Sequence, residues 1–156
     1  MNDALKSIDE LDLKILKILQ DDCRISLEQI AKMVGVPKST IYYRIKRLEE
    51  EGIIEGYYAK INFAKLGKDY LTITFVKAKY APGYHEKIGE KLSKISGVWG
   101  VYFIFGENDF VVLTRSKDRE DYLRKLELMM NMPEIERTNT QVVAKIIKED
   151  LRDIIS

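Results

Sequence analysis

Eight residues between Lys38 and Arg47 carry groups suited to nucleic acid: Lys38, Ser39, Thr40, Tyr42, Tyr43, Arg44, Lys46 and Arg47. Hydroxyls and phenols can hydrogen-bond base edges or phosphate oxygens, while ammonium and guanidinium groups neutralise phosphate. On a helix, Ile41, Ile45 and Leu48 fall within one narrow arc and must face a core. Ser39, Tyr43, Lys46 and Glu50 occupy the opposite arc, with Tyr42 and Arg47 beside it. That face puts hydroxyls and phenols where a groove would meet them, and assigns Arg44, Lys46 and Arg47 to phosphate. The plainer alternative is a solvated amphipathic helix, with Arg44 paired to a Glu of its own helix and the two tyrosines packed on a following strand.

A second group lies at Gly106, Glu107, Asn108 and Asp109. An amino acid needs donors for its carboxylate, which backbone N–H groups of a glycine turn supply, and an acceptor for its ammonium, which Asp109 could be. Thr138 and Thr140 share one face of a later strand, and Tyr102 lies on a strand before the turn; their hydroxyls could meet a polar effector side chain. Taken alone, the turn reads as a hairpin with Asp109 bonded to its own backbone, and threonines in strands are common.

No catalytic residue, metal ligand or cofactor site is expected. The chain has no nucleophile elbow, metalloprotease helix or phosphate-binding glycine loop, and Gly97, Gly100 and Gly106 have the wrong spacing for the last. His85, the one histidine, has no cysteine near it and reads as a surface residue. The one cysteine, Cys23, rules out a disulfide framework within one chain and fits a reducing, cytoplasmic setting. No basic segment followed by an apolar stretch opens the chain, and no apolar run approaches the roughly 20 residues of a membrane helix, so no membrane partner is expected.

The elements that must position these residues follow from periodicity. Ser7 and Glu10 form a capping box ahead of Ile8, Leu11, Ile15, Ile18 and Leu19 at helical spacing, ending near Asp21–Asp22. Ser26 and Gln29 form a second box, opening a helix that Gly35 stops. Pro37 opens the third helix, which Gly52 closes. Small Ala31, then Gly35, then Ile41 and Ile45 satisfy the packing needs of a helix-turn-helix: close contact, a turn and apolar anchors. "IIEGYYAKINFAKLG" reads as a strand and a linker.

From Tyr70 the order is β-α-β-β-α-β, a ferredoxin-like split βαβ with both helices on one face of an antiparallel sheet. Neither alternate set of "VWGVYFIF" or "DFVVL" is polar. A sheet with one wet face would show one, so the second face is expected to lie against another subunit's sheet. The fold class is therefore α+β: a winged helix-turn-helix at 1–56, a strand or linker at 57–69 and a ferredoxin-like domain at 70–156.

The 156 residues, 46% apolar and 33% charged, can bury a core and carry a net charge of only +1. From Met1 to Lys60 there are 10 Lys and Arg against 11 Asp and Glu, a balance of −1. Phosphate neutralisation supplies most non-specific affinity, so one such head binds DNA weakly and at least two must act together.

The stretch "DLKILKILQDDCRISLEQIAKMVGVPKSTIYYRIKRLEEEGIIEGYYAKINFAKLG", with "SGVWGVYFIFGENDFVVL" after it, resembles the Lrp/AsnC (feast/famine) transcription regulators over nearly the whole chain. The resemblance implies a DNA-binding regulator that dimerises through its sheets and assembles to octamers. It also implies an amino-acid effector bound between dimers, and favours an effector site at the Gly106–Asp109 turn. Pro37 departs from the family's usual serine cap, leaving Ser39, Thr40 or phosphate to satisfy the first N–H groups of the third helix. Two other functions remain open on sequence: an architectural DNA-binding protein without effector, and a small enzyme of amino-acid metabolism, disfavoured by the missing catalytic constellation.

Overall fold

A computed structural model of the chain describes residues 8–155. These divide into two units: one takes in the chain up to Lys60 together with Lys148 onwards, and the other runs Ile61–Ile147. Residues from Lys148 on, assigned by sequence to the C-terminal half, thus group with the first unit.

The first unit holds α1 (Glu10–Asp21), α2 (Leu27–Val34) and α3 (Lys38–Glu50). Ser7 lies outside the described residues; the cap of α1 is instead Asp9, whose side chain accepts from the Asp12 N–H while Asp12 accepts from the Asp9 N–H. The second capping box is present as expected, with Gln29 N–H on Ser26 Oγ at 3.2 Å and Ser26 N–H on Gln29 Oε1 at 3.1 Å. Gly35 ends α2 at φ 75°, a left-handed conformation that costs a residue without Cβ little. Pro37 sits one position earlier than expected, as the N-cap of α3, and no side chain caps that helix. Ile15, Ile30, Ala31, Ile41 and Ile45 form the core of the three helices.

The strand expected after α3 is not formed: residues 53–63 join no ladder. A strand needs a partner for its N–H and C=O groups, and the described part of this unit contains no other strand. The segment is instead pinned back on α3. Ile53 and Ile54 donate to the Leu48 carbonyl, and the Tyr57 hydroxyl donates to Glu49 Oε1 at 2.7 Å. Burial first, then Glu49, pushes that phenol up to about 12.

The second unit has the expected βαββαβ order: β1 (Tyr70–Ala78), α4 (Tyr84–Ser93), β2 (Val98–Phe103), β3 (Phe110–Ser116), α5 (Arg119–Met130) and β4 (Ile135–Val142). The sheet is antiparallel in the order β2-β3-β1-β4. Thr72, Thr74, Val76 and Ala78 of β1 face the helices and are buried. At one end this layer is apolar, joining Val76, Phe110 and Val112 to Ile88, Leu92 and Met129. At the other it is a polar seam. Tyr122 Oη bonds Thr74 Oγ1 at 2.7 Å and Thr140 Oγ1 at 2.6 Å, and Lys125 Nζ donates to Asp121 at 2.6 Å and Ser116 Oγ at 3.0 Å.

The opposite face carries half-buried Ile73, Phe75, Val111 and Leu113 and, at one end, buried Leu71, with Tyr102 in the same row as Val111 and Phe75. No helix of this unit covers it. The apolar set of β1 thus lies largely on the open face and its threonines lie inside, the reverse of a sheet with one face in water.

The seam yields a stability prediction. Tyr122→Phe removes the hydroxyl shared by Thr74 and Thr140 and should cost about 1–2 kcal/mol, read as a lower urea midpoint with unchanged slope.

Candidate DNA interface and effector turn

Helix α3 separates its residues by depth. Ile41, Ile45 and Leu48 are buried, Lys38, Ser39, Tyr42, Tyr43 and Lys46 are exposed, and Thr40 is half-buried. The two phenols meet edge to face at 5.4 Å and remain 50% and 68% exposed. The Lys46 ammonium lies 3.7 Å from Glu50, a surface pair that a phosphate can displace cheaply.

Arg44 and Arg47 correct the sequence reading: neither is presented with its neighbours. Arg44 NH1 donates to Asp9 Oδ2 at 2.5 Å and to both Asp12 oxygens at 3.2 Å, and Arg47 NH2 donates to Asp12 Oδ2 at 2.5 Å. Arg44 is indeed paired, but to α1 rather than to a glutamate of its own helix. Asp12 is fully buried. Removing a partner from such a group typically costs about 3–5 kcal/mol, because the remaining charge is stranded. The sequence reading, which put the first capping box at Ser7 and Glu10, missed Asp9 and Asp12; two carboxylates three residues apart were the available signal, but nothing local points to the arginines more than thirty residues on.

In the second unit, β2 and β3 are joined by a longer loop than the expected tight turn, closed by the Ile104 N–H on the Asp109 carbonyl at 2.8 Å. Gly106 takes φ 144°, a value L side chains rarely adopt. Asp109 is 4% exposed and already engaged: Oδ2 accepts the Ala78 N–H at 2.8 Å and lies 3.5 Å from Lys77 Nζ, and Oδ1 meets the Tyr84 hydroxyl at 3.4 Å. Its role within the protomer is to fasten the loop to β1, not to its own backbone. Glu107 pairs with Arg137 at 2.5 Å, and Asn108 is half-buried.

The fold brings Thr138 to this end of the sheet, opposite Val76, whose carbonyl accepts the Asp109 N–H. Thr140 lies farther along, tied into the seam under α5, and Tyr102 is on the other face. The seven expected effector residues are therefore not gathered at one place in a single chain. Sequence reasoning missed Arg137, Lys77 and Tyr84, which lie on flanking elements, and an aromatic group of Tyr84, His85, Phe103 and Phe105 beside the loop. His85 stacks on Phe103 at 5.2 Å. Among the described residues no group of three or more His, Cys, Asp or Glu could hold a metal, and no helix is long and apolar enough to cross a membrane.

A capped three-helix head with an outward polar helix and a split-βαβ sensing half define a helix-turn-helix regulator with a ligand-binding domain. Residues 8–55 match the winged helix-turn-helix DNA-binding family and residues 73–153 the Lrp/AsnC ligand binding domain. An HTH-type transcriptional regulator of Pyrococcus abyssi, itself uncharacterized, is 41% identical over 145 residues, covering 93% of this chain and 97% of its own. The fold matches Escherichia coli AsnC with a TM-score of 0.85 at 24% identity, over 93% of this chain and 98% of that one. It also matches a Neisseria meningitidis transcriptional regulator solved as an L-Met complex, with a TM-score of 0.87 at 21% identity over 94% and 96%. The chain belongs to the Lrp/AsnC family of transcription regulators. It binds DNA through its helix-turn-helix and is not an enzyme.

The clamp carries a titration prediction. The Asp12 N–H and then Arg44 hold the Asp9 carboxyl down at about 2, from an ordinary 3.8. Because the folded value is the lower one, this contribution to stability is complete above the ordinary value and lost as pH falls through about 2. Carboxyl NMR should place the Asp9 midpoint near 2, and Arg44→Gln should move it back towards 3.8.

Proposed function

We propose that α3 is the helix that enters the major groove, with Ser39, Thr40, Tyr42 and Tyr43 at base edges or nearby phosphates and Lys38 and Lys46 on phosphate. One observation carries this reading: the polar, phenolic and ammonium groups of α3 stand outward together while its apolar arc is buried. Its uncapped first turn leaves N–H groups that suit phosphate. With Arg44 and Arg47 committed to carboxylates, few cations remain free on this helix, so one head binds weakly and heads must act in pairs.

The open apolar face of the second unit's sheet supplies the pairing. We take it as the dimer surface, on which further assembly to octamers would build. Its half-exposed Ile73, Phe75, Val111 and Leu113 and exposed Tyr102 suit a second copy of the same sheet. The effector is taken to be an amino acid, in line with the ligand-binding-domain match and with the L-Met of the Neisseria neighbour. The loop from Gly106, with Glu107, Asn108 and Thr138, is the place for it, completed from another chain since Asp109 and Thr140 are engaged within their own. A cytoplasmic site of action goes with DNA as partner. The same engagement of Asp109 and Thr140 favours the second reading, an architectural DNA-binding protein without effector.

Two measurements decide. Lys46→Ala should weaken binding to all duplexes alike and reduce the salt slope by about one; an unchanged slope would turn this face away from DNA. Calorimetry of L-methionine and the other free amino acids against the assembled protein should give heat for at least one, and silence from all would leave the architectural reading.

A further inference from the structure

Helix α1 and helix α3 are joined by a two-rung polar ladder. Its α1 side is Asp9 and Asp12, three residues apart in the cap and first turn; its α3 side is Arg44 and Arg47, three residues apart on one flank. Asp12 is the shared rung, taking Arg44 and Arg47 at 3.2 Å and 2.5 Å with no exposed surface of its own. Arg47 reaches Asp12 with NH2, and its buried Nε lies 3.9 Å from Glu51. Apolar contacts between two helices tolerate small slides and rotations, since dispersion and burial are non-directional. Charge-assisted hydrogen bonds to a sealed carboxylate do not, because their strength depends on distance and angle.

We infer that Asp12, which reaches no DNA, is a positioning residue for sequence recognition. Through Arg44 and Arg47 it fixes the depth and rotation at which α3 presents Ser39, Tyr42 and Tyr43. The two arginines act through it and not as phosphate ligands. This rests on the reading of α3 as the groove helix. It follows that losing the ladder costs discrimination rather than phosphate contacts. Non-specific affinity comes from phosphate neutralisation and is insensitive to small rotations of a helix, whereas base contacts are not.

The test compares a duplex selected from a random pool by the full-length protein with an unselected duplex, over a range of salt, well below the thermal midpoint of each variant. Asp12→Asn should weaken the selected duplex about tenfold or more. Binding to the unselected duplex and its salt slope should stay unchanged. Arg47→Gln should do the same, and the double variant should be no worse than either single one. If Asp12→Asn does not fold, Arg47→Lys, which keeps the charge but loses the planar fork, should show the same loss of discrimination.

A salt slope reduced by about one in the Arg47 variants would make that residue a phosphate ligand and overturn the inference. So would a folded Asp12→Asn protein that is less stable but binds both duplexes as before. Lys46→Ala run alongside separates the two readings. If it lowers the slope while the Asp12 variant keeps its discrimination, only the positioning role falls; if it too is inert, the groove assignment of α3 falls.

Discussion

A carboxylate withdrawn from water is tolerable only where cations and N–H groups meet it, and in the N-terminal unit that requirement governs the course of α3. Asp12 lies in the first turn of α1, fully buried, and its partners come from the middle of α3. The apolar core of Ile15, Ile30, Ile41 and Ile45 brings the helices together. The carboxylate then selects one arrangement among those the core would accept. Two of the helix's cations are consumed in this way, and the outer face is left to hydroxyls, phenols and lysines.

That division bears on how such a head can work. The first sixty residues are slightly acidic overall, and the arginines that looked available for phosphate neutralise carboxylates of their own unit. On the proposed reading affinity comes from multiplicity, and the sheet of the second unit is the candidate surface for it. Its sheet is covered by helices of its own unit on one side only, and the other side carries half-buried Ile73, Phe75, Val111 and Leu113. The covered side is the less usual one. Thr72 and Thr114 face each other there with no hydrogen-bond partner for either hydroxyl, beside a lysine that is almost wholly buried. Lys125 holds the Asp121 carboxyl well below the usual carboxylate range. This layer packs α5 partly through hydroxyls and one ion pair, alongside buried Tyr122 and Met129, whereas α4 packs through Ile88 and Leu92.

Much of this was legible in the residues. The capping box at Ser26, the left-handed stop at Gly35, the buried arc of α3 and the βαββαβ order all follow from local chemistry and period, and each is where the spacing put it. The box expected at Ser7 lies outside the described residues, and the side chain that caps α1 is Asp9, which also meets Arg44. The strand after α3 did not form because a strand is a property of two segments, and the alternation of "GYYAKINF" says nothing of a partner. The loop at Gly106 was found, but Asp109 was assigned outward when its partners, Ala78, Lys77 and Tyr84, lie on elements the turn itself does not reveal.

The sequence by itself therefore determined the helices, the βαββαβ order and the family, because helix period, strand alternation, caps and glycine turns act over a few residues. Only the tertiary structure decided which charges are free. An arginine's side chain reaches as readily inward as outward, and its partner is chosen by whichever carboxylate the fold buries beside it. Asp12 stands 32 residues from Arg44 and 35 from Arg47. At that separation the attraction that fixes them exists only after the core has closed.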